Sequence, residues 1–253
     1  MFRSLLRRHT IRILSDLYLT PSKLETLKKL LVRGIPKTDI LAILGDVAYH
    51  GSEAPEFREG ISLLSNTARH VLFILGNREQ FSTYEPMAGY YYAQNALNGL
   101  KNVTILNQSS ITLYGIRYVG CTLWTDTTRF KPNDSGKWLF PTPSRVPPNL
   151  TKWDNLDAEH IRDINYLNRV LQDHPNVPTI ILTHHSPIMN SNNDDEPLYS
   201  SDLTDLISKY RHQIYLWGHG HIRSRQYRYL HGVPIICNPW IQNTFRDCLI
   251  PIT

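Results

Sequence analysis

The sequence predicts an α/β domain built on parallel βαβ units. Three observations carry that prediction. Short apolar runs alternate with helical patterns along the first third of the chain. Each run is of strand length and stops at a Gly, Asp, Asn or His rather than fading into a loop. The composition, 41% apolar and 19% charged over 253 residues, excludes a disordered chain and supplies a sizeable core.

The elements follow in order. "IRILSDLYL" (Ile11–Leu19) reads as a buried strand that breaks at Ser15–Asp16. The stretch Pro21–Gly34 places Leu24, Leu27, Leu30 and Leu31 at helical spacing, with Pro near its start and Gly near its end, as helix boundaries prefer. "DILAILGDVAY" (Asp39–Tyr49) is a second strand ending at Gly45–Asp46, and "PEFREGISLLSNTARH" a second helix. "VLFILGNRE" (Val71–Glu79) is a third strand, ending at Gly76–Asn77. "VTILNQ" and "ITLYGIRYVGCTLW" read as short antiparallel strands turning at Gly115. A Pro- and Trp-containing stretch, about 125–156, reads as an insert at the rim, followed by a helix over 157–173. "PTIILTHHSP" is a strand ending at His184–His185, "SDLTDLISKY" a helix, and "QIYLWGHGH" a strand ending in His219 and His221. "RQYRYLHGVPIICNP" forms a hairpin turning near Gly232. With no repeat or low-complexity segment, residues 1–253 are expected to form a single domain.

The net charge of +5, without a block of like charges, favours an anionic ligand and does not demand nucleic acid. Cys121, Cys237 and Cys248 form no CxxC pair and read as reduced thiols of a cytoplasmic protein. No apolar run approaches the roughly 20 residues of a membrane span. The basic start "MFRSLLRRHT" is too short for a signal peptide and is read as mature protein.

Five strand ends thus supply Asp16, Asp46, Asn77, His184, and His219 with His221. Strand carboxyl ends share one edge of an open α/β sheet, where ligands bind. Oxygen donors mixed with imidazole suit Mn, Fe or Zn. Six donors exceed one tetrahedral zinc and suit two ions with a carboxylate between them. An Asp after a strand is by itself a turn or helix cap, and a lone HxH is a surface pair. Their joint occurrence on five strands is what departs from that ordinary reading.

The motifs "SDLYL", "GDVAY", "GNRE", "THHSP" and "GHGH" resemble, in order, the DxH, GD, GNH[DE], H and GHxH motifs of calcineurin-like metallophosphoesterases. "CTLWTD" and "IICNP" are similar to cytosolic members. The resemblance runs from Ile11 to about Pro239. It implies a four-layer αββα sandwich of two mixed β-sheets flanked by helices. It also implies a two-metal centre, with manganese expected and iron or zinc as alternatives, and hydrolysis of a phosphate mono- or diester by a metal-bound hydroxide. Matched by position, Asp16 and His221 would hold one ion, Asn77, His184 and His219 the other, and Asp46 would bridge.

Two positions depart from the pattern. Tyr18 replaces the DxH histidine and Arg78 the GNH histidine. A GNR[DE] motif also occurs in UDP-diacylglucosamine hydrolases of the same superfamily. A guanidinium binds phosphate oxygens bidentately but cannot serve as a general acid. A good leaving group would then be required, or a proton from His185 or His50, unless His185 only packs behind the ligands. "GDVAY" also resembles the GDxxY of purple acid phosphatases, which makes Tyr49 a candidate iron ligand in place of the missing histidine. Without it, the first metal site is weakened. Arg223 is a candidate substrate contact, although Arg223, Arg225 and Arg228 together also read as solvated charge.

The expected function is a metal-dependent phosphoesterase, with a degenerate binding or scaffold module as the alternative. The expected substrate is a small phosphate ester or a nucleotide. Trp124, Trp138 and Trp153 are compatible with nucleic-acid stacking, but no basic stripe supports it. Substrate choice is expected to rest on the insert and on the loop 186–199.

Overall fold

The computed structural model describes residues 9–81, 88–125, 153–189, 200–240 and 249–252. Most of the expected insert with Trp138, most of the loop 186–199, and Cys248 lie outside the described residues.

Two mixed sheets form the centre. The first has β1 (His9–Leu14), β2 (Thr38–Leu44), β3 (Ala68–Ile74) and β4 (Val103–Ile105) in parallel array. It ends in β11 (Leu249–Ile252), antiparallel to β1. The second contains β5 (Ser109–Leu113), β6 (Ile116–Cys121), β7 (Thr179–Thr183), β8 (Ile214–His219), β9 (Gln226–Leu230) and β10 (Val233–Cys237). Its order is β5-β6-β7-β8-β10-β9, with an antiparallel pair at each edge and parallel pairs between.

Strand alternation explains the layering. Ile11, Ile13, Ile40, Ala42, Leu44, Leu72 and Ile74 point from the first sheet into a shared core, where Tyr118, Ile180, Leu182, Leu216 and Ile236 meet them from the second. The alternate residues Leu41, Ile43, Val71 and Phe73 face outward. They pack against α1 (Pro21–Val32), α2 (Pro55–Ser65) and α4 (Ala88–Leu97). Val119, Ile181, Trp217 and Ile235 do the same against α5 (Trp153–Asp173) and α6 (Thr204–Tyr210). Strands buried on both faces read as continuous apolar runs, which is why the sequence shows them so plainly. The result is the expected αββα sandwich.

Several elements depart from the sequence reading. β3 starts at Ala68, three residues before the expected Val71. The helix expected over 157–173 already begins at Trp153. The hairpin turns at His231–Gly232, both in left-handed backbone, but β10 is an interior strand paired in parallel with β8. The short α3 (Asn77–Phe81) and the Tyr-rich α4 carry no strong helical pattern. β11, four residues including Pro251, finds its place by pairing with β1. Among the described residues no helix is long and apolar enough to cross a membrane.

Asn238 joins the sheets at the edge where the site lies. Its side-chain amide donates to Ile13 O at 2.8 Å, and its carbonyl accepts from Ser15 N at 3.2 Å.

Candidate metal centre

The carboxyl ends of β1, β2, β3, β7 and β8 converge at one edge, and their loops are hydrogen-bonded to each other. Asp16 N donates to Gly45 O at 3.0 Å, Tyr18 N to Asp46 O at 3.0 Å, and Gly220 N to His184 O at 2.9 Å. Asp16, Tyr18, Asp46 and His221 all take left-handed backbone, with φ of 55°, 46°, 54° and 64°. Such conformations are sparsely populated by L-residues and persist where the surroundings over-determine them, as at functional sites. The motif glycines permit this crowding. A Cβ on Gly76 would lie 2.3 Å from Asp46 Oδ1, and one on Gly45 2.4 Å from His184 Nδ1.

His184 is buried at the centre. Its Nδ1 donates to Leu44 O at 2.8 Å, which leaves a lone pair on Nε2. That atom lies 2.9 Å from Asn77 Oδ1, 3.1 Å from His221 Nδ1 and 3.6 Å from Asp46 Oδ1. Asp46, His184 and His221 each offer a ligand atom within 4.8 Å of the others. His219 donates from Nδ1 to Gly220 O at 3.0 Å, while its buried Nε2 has no hydrogen-bond partner among the described residues; nor has Asp46 Oδ2. Buried acceptors without donors are rare in folded proteins and demand an explanation. A cation supplies one, so the residues present fit a metal.

Asp16 closes the site from β1. Its Oδ2 accepts the His221 backbone N–H at 3.0 Å and its Oδ1 the Tyr18 hydroxyl at 3.2 Å. Burial, with Asp46 nearby, pushes its carboxyl up to about 6. Burial also pulls the His219 imidazole down to about 4 and lowers His221 and His185. These rings are therefore neutral at pH 7, the form that ligates metals.

Sequence reasoning left out Glu79, which is fully buried beneath the centre. Its Oε2 accepts from Gly76 N at 2.7 Å and Asp46 N at 2.9 Å, and its Oε1 from Val47 N at 2.9 Å. One carboxylate thus ties the β2 and β3 loops together. Burial and the Asp46 charge nevertheless push it up to about 7, outweighing the three donors. The available signal was the acidic residue two positions after Asn77, at the start of a helix.

The remaining candidates form a second layer. His185 is buried, with Nδ1 3.3 Å from Thr122 O and its ring centre 4.3 Å from that of His221. His50 is exposed against Tyr49, ring centres 5.0 Å apart. Arg78 donates from its backbone N to Asp46 Oδ1 at 2.9 Å and from Nη1 to Tyr49 O at 3.2 Å. Its Cζ lies 4.6 Å from the Tyr49 ring centre and 5.2 Å from that of Tyr18. Arg223 also lies on Tyr18, Cζ to centroid 5.3 Å. Tyr49, Arg78, Tyr18 and Arg223 therefore make a connected set of alternating rings and guanidiniums. Burial, with Asp46 and Asp16 close by, pushes the Tyr18 phenol far above its ordinary value, so it stands as a neutral hydroxyl.

Comparison with known proteins gives a consistent result. The chain is 24% identical over 206 residues to the uncharacterized protein L509 of Acanthamoeba polyphaga mimivirus, covering 73% of this chain and 72% of that one. Its fold is similar to phosphopantetheinyl hydrolase from Mycobacterium tuberculosis, with a TM-score of 0.65 at 17% identity, covering 96% and 95% of the two chains. It is also similar to a dimetal phosphatase from Danio rerio, with a TM-score of 0.53 at 10% identity, covering 90% and 86%. The model of the calcineurin-like phosphoesterase family matches residues 9–223. The chain belongs to the calcineurin-like phosphoesterases, a family of divalent-metal-dependent hydrolases.

Proposed function

We propose that this metal-dependent phosphoesterase works through two cations and acts on a small phosphate ester or nucleotide. One observation carries the reading: two buried acceptors, Asp46 Oδ2 and His219 Nε2, have no donor among the described residues, and His184 Nε2 lies 3.6 Å from the Asp46 carboxylate. A chain keeping only the fold as a scaffold would be more stable with such groups replaced or paired. Asp16 and His221 would hold one ion, and Asn77, His184 and His219 the other, with Asp46 between them. Mn is the first choice for this oxygen and imidazole set, and Fe or Zn also suits it.

Bound there, the ions would supply Lewis acidity toward phosphoryl oxygens and an activated water. The chain's own residues do the rest. The Leu44 carbonyl fixes the His184 tautomer, and Glu79 fixes the Asp46 loop. Arg78, anchored on Tyr49, presents a guanidinium that can bind phosphoryl oxygens and stabilise the charge that grows on them. It holds its proton at neutral pH, so it gives none to the leaving group. His185 is held neutral by burial and packs against the His221 ring. The leaving oxygen is then protonated from water, which favours good leaving groups.

The test is metal content by mass spectrometry together with hydrolysis of 4-nitrophenyl phosphate and bis(4-nitrophenyl) phosphate. Two equivalents of metal and turnover that Asp46→Ala abolishes, with the circular dichroism spectrum kept, support the reading. Unchanged turnover in Asp46→Ala overturns it. A metal-poor protein with no turnover supports the scaffold instead.

A further inference from the structure

We propose that Tyr18 is a positioning residue that holds Arg78 and Arg223 as a phosphate clamp, and that this clamp makes dianionic phosphate monoesters the preferred substrates. The inference rests on the phosphoesterase reading and names the substrate class of the same site.

Tyr18 stands where the family motif has a ligand, yet its environment suits a different task. Its hydroxyl donates to Asp16 Oδ1 at 3.2 Å, which sets the ring beside the ligand cluster, and the same hydroxyl is hydrogen-bonded to the Arg223 side chain. Two guanidiniums lie over that ring, with Cζ atoms 5.2 and 5.3 Å from its centre, and the Lys23 ammonium lies 5.8 Å from it. The three cations come from separate elements: the start of α3, the loop after β8, and the first turn of α1. Gathering like charges around one ring is unfavourable in the absence of compensation. The negative face of the ring and the Asp16 and Asp46 carboxylates close to it relieve part of that repulsion, and a bound phosphate would relieve more.

The geometry also bears on which anion. Arg78 contacts both the Tyr49 and Tyr18 rings and is bonded to the Tyr49 carbonyl, so its fork has less rotamer freedom to lose on binding. A phosphate monoester near neutral pH carries a charge of about −1.5 to −2 and three free oxygens. Its charge and oxygens would suit a site that holds divalent cations beside two guanidiniums. A diester carries one charge and two free oxygens, so it has less to offer two guanidiniums. Arg223 adds more to the first than to the second.

The experiment compares Mn-loaded wild type, Tyr18→Ala, Tyr18→Phe and Arg223→Ala. KM and kcat are measured for 4-nitrophenyl phosphate and bis(4-nitrophenyl) phosphate, and binding of inorganic phosphate is measured by calorimetry on metal-loaded and metal-free protein. Wild type is expected to favour the monoester in kcat/KM. Tyr18→Ala and Arg223→Ala should each raise the monoester KM about tenfold, with a smaller change in kcat and in the diester KM. Tyr18→Phe keeps the ring but loses the hydroxyl bonded to Arg223, and should recover the monoester KM only in part, to about threefold above wild type. Phosphate affinity of the metal-free protein should fall in the two alanine variants. A wild-type preference for the diester overturns the proposal, as do equal losses on both substrates. Loss of bound metal in Tyr18→Ala with no rescue by Tyr18→Phe overturns it too, because Tyr18 would then be serving the ligands alone. If Tyr18→Ala does not fold, Arg223→Ala decides by the same readouts. If the loaded wild type binds two metals yet turns over neither ester, the phosphoesterase reading fails. The clamp itself still stands if metal-free protein binds phosphate and Arg223→Ala does not.

Discussion

The Arg78 guanidinium lies over the Tyr18 ring, Cζ 5.2 Å from its centre, so the two positions where this chain departs from its family's motifs touch each other. Each looks like a separate loss when read along the sequence. Together they replace two imidazoles by an aromatic ring and a planar cation in contact. A lysine carries the same charge but has no planar fork to place between Tyr49 and Tyr18. Arg78→Lys should therefore lower kcat/KM for 4-nitrophenyl phosphate about as far as Arg78→Ala, on the order of 100-fold. Steady-state kinetics decide it, and near-normal kcat/KM in Arg78→Lys would show that a point charge suffices.

Glu79 gives a prediction about stability. Its carboxylate accepts three backbone N–H groups in a fully buried position. A glutamine offers one acceptor oxygen and turns an NH2 toward at least one of those donors. Glu79→Gln should cost about 2–3 kcal/mol in urea unfolding of the metal-free protein. It should also weaken metal binding, because Asp46 and Gly76 are held by the same carboxylate.

Metal affinity should fall in acid, and Asp16 sets where. Its buried carboxyl titrates at about 6, so below that pH a proton must leave before it can ligate. Above pH 6 this contribution is flat. Below it, the Mn dissociation constant should rise by up to about tenfold per pH unit. His219, lowered to about 4, does not compete in that range. Calorimetric titrations at pH 5, 6 and 7.5 test this, and Asp16→Asn should show weaker binding with a flatter pH profile.

Asp163 on α5 lies away from the ligand cluster and carries its own pH signature. The buried carboxylate accepts from Leu123 N at 2.8 Å and Gln108 Nε2 at 2.9 Å, tying the loop after β6 to α5. Burial raises it from 3.8 to about 7. Between those values the folded chain keeps a proton that the unfolded chain has shed. Its contribution therefore favours folding at low pH and is lost as pH rises through 7, with a slope of at most about 1.4 kcal/mol per unit. Urea unfolding from pH 5 to pH 8 should show this decline in the wild type and a flatter profile in Asp163→Asn. Identical profiles would mean that the carboxyl titrates normally.

The elements most legible in the sequence were those with two buried faces. A strand such as Asp39–Tyr49 shows itself as an apolar run, and its end shows itself because a ligand-type residue in left-handed backbone follows a glycine. Residue type and strand-end position are local properties, so Asp16, Asp46, Asn77, His184, His219 and His221 could be proposed as ligands from the sequence alone. α4 and β11 were not readable. The Gly89 backbone of α4 packs against the Glu79 carbonyl, and β11 exists because β1 offers it an edge.

The sequence by itself determined which chemical groups stand at the ends of which strands, because alternation and punctuation are written residue by residue. Only the tertiary structure decided which of those groups meet. Asp16 and His221 are 205 positions apart and share a hydrogen bond because two sheets pack face to face. Tyr18, Tyr49 and Arg78 meet at the edge of the first sheet, from the loops after β1 and β2 and the start of α3, and the packing of the second sheet adds Arg223. No local pattern encodes such contacts, since the relative placement of the sheets is set by the core between them.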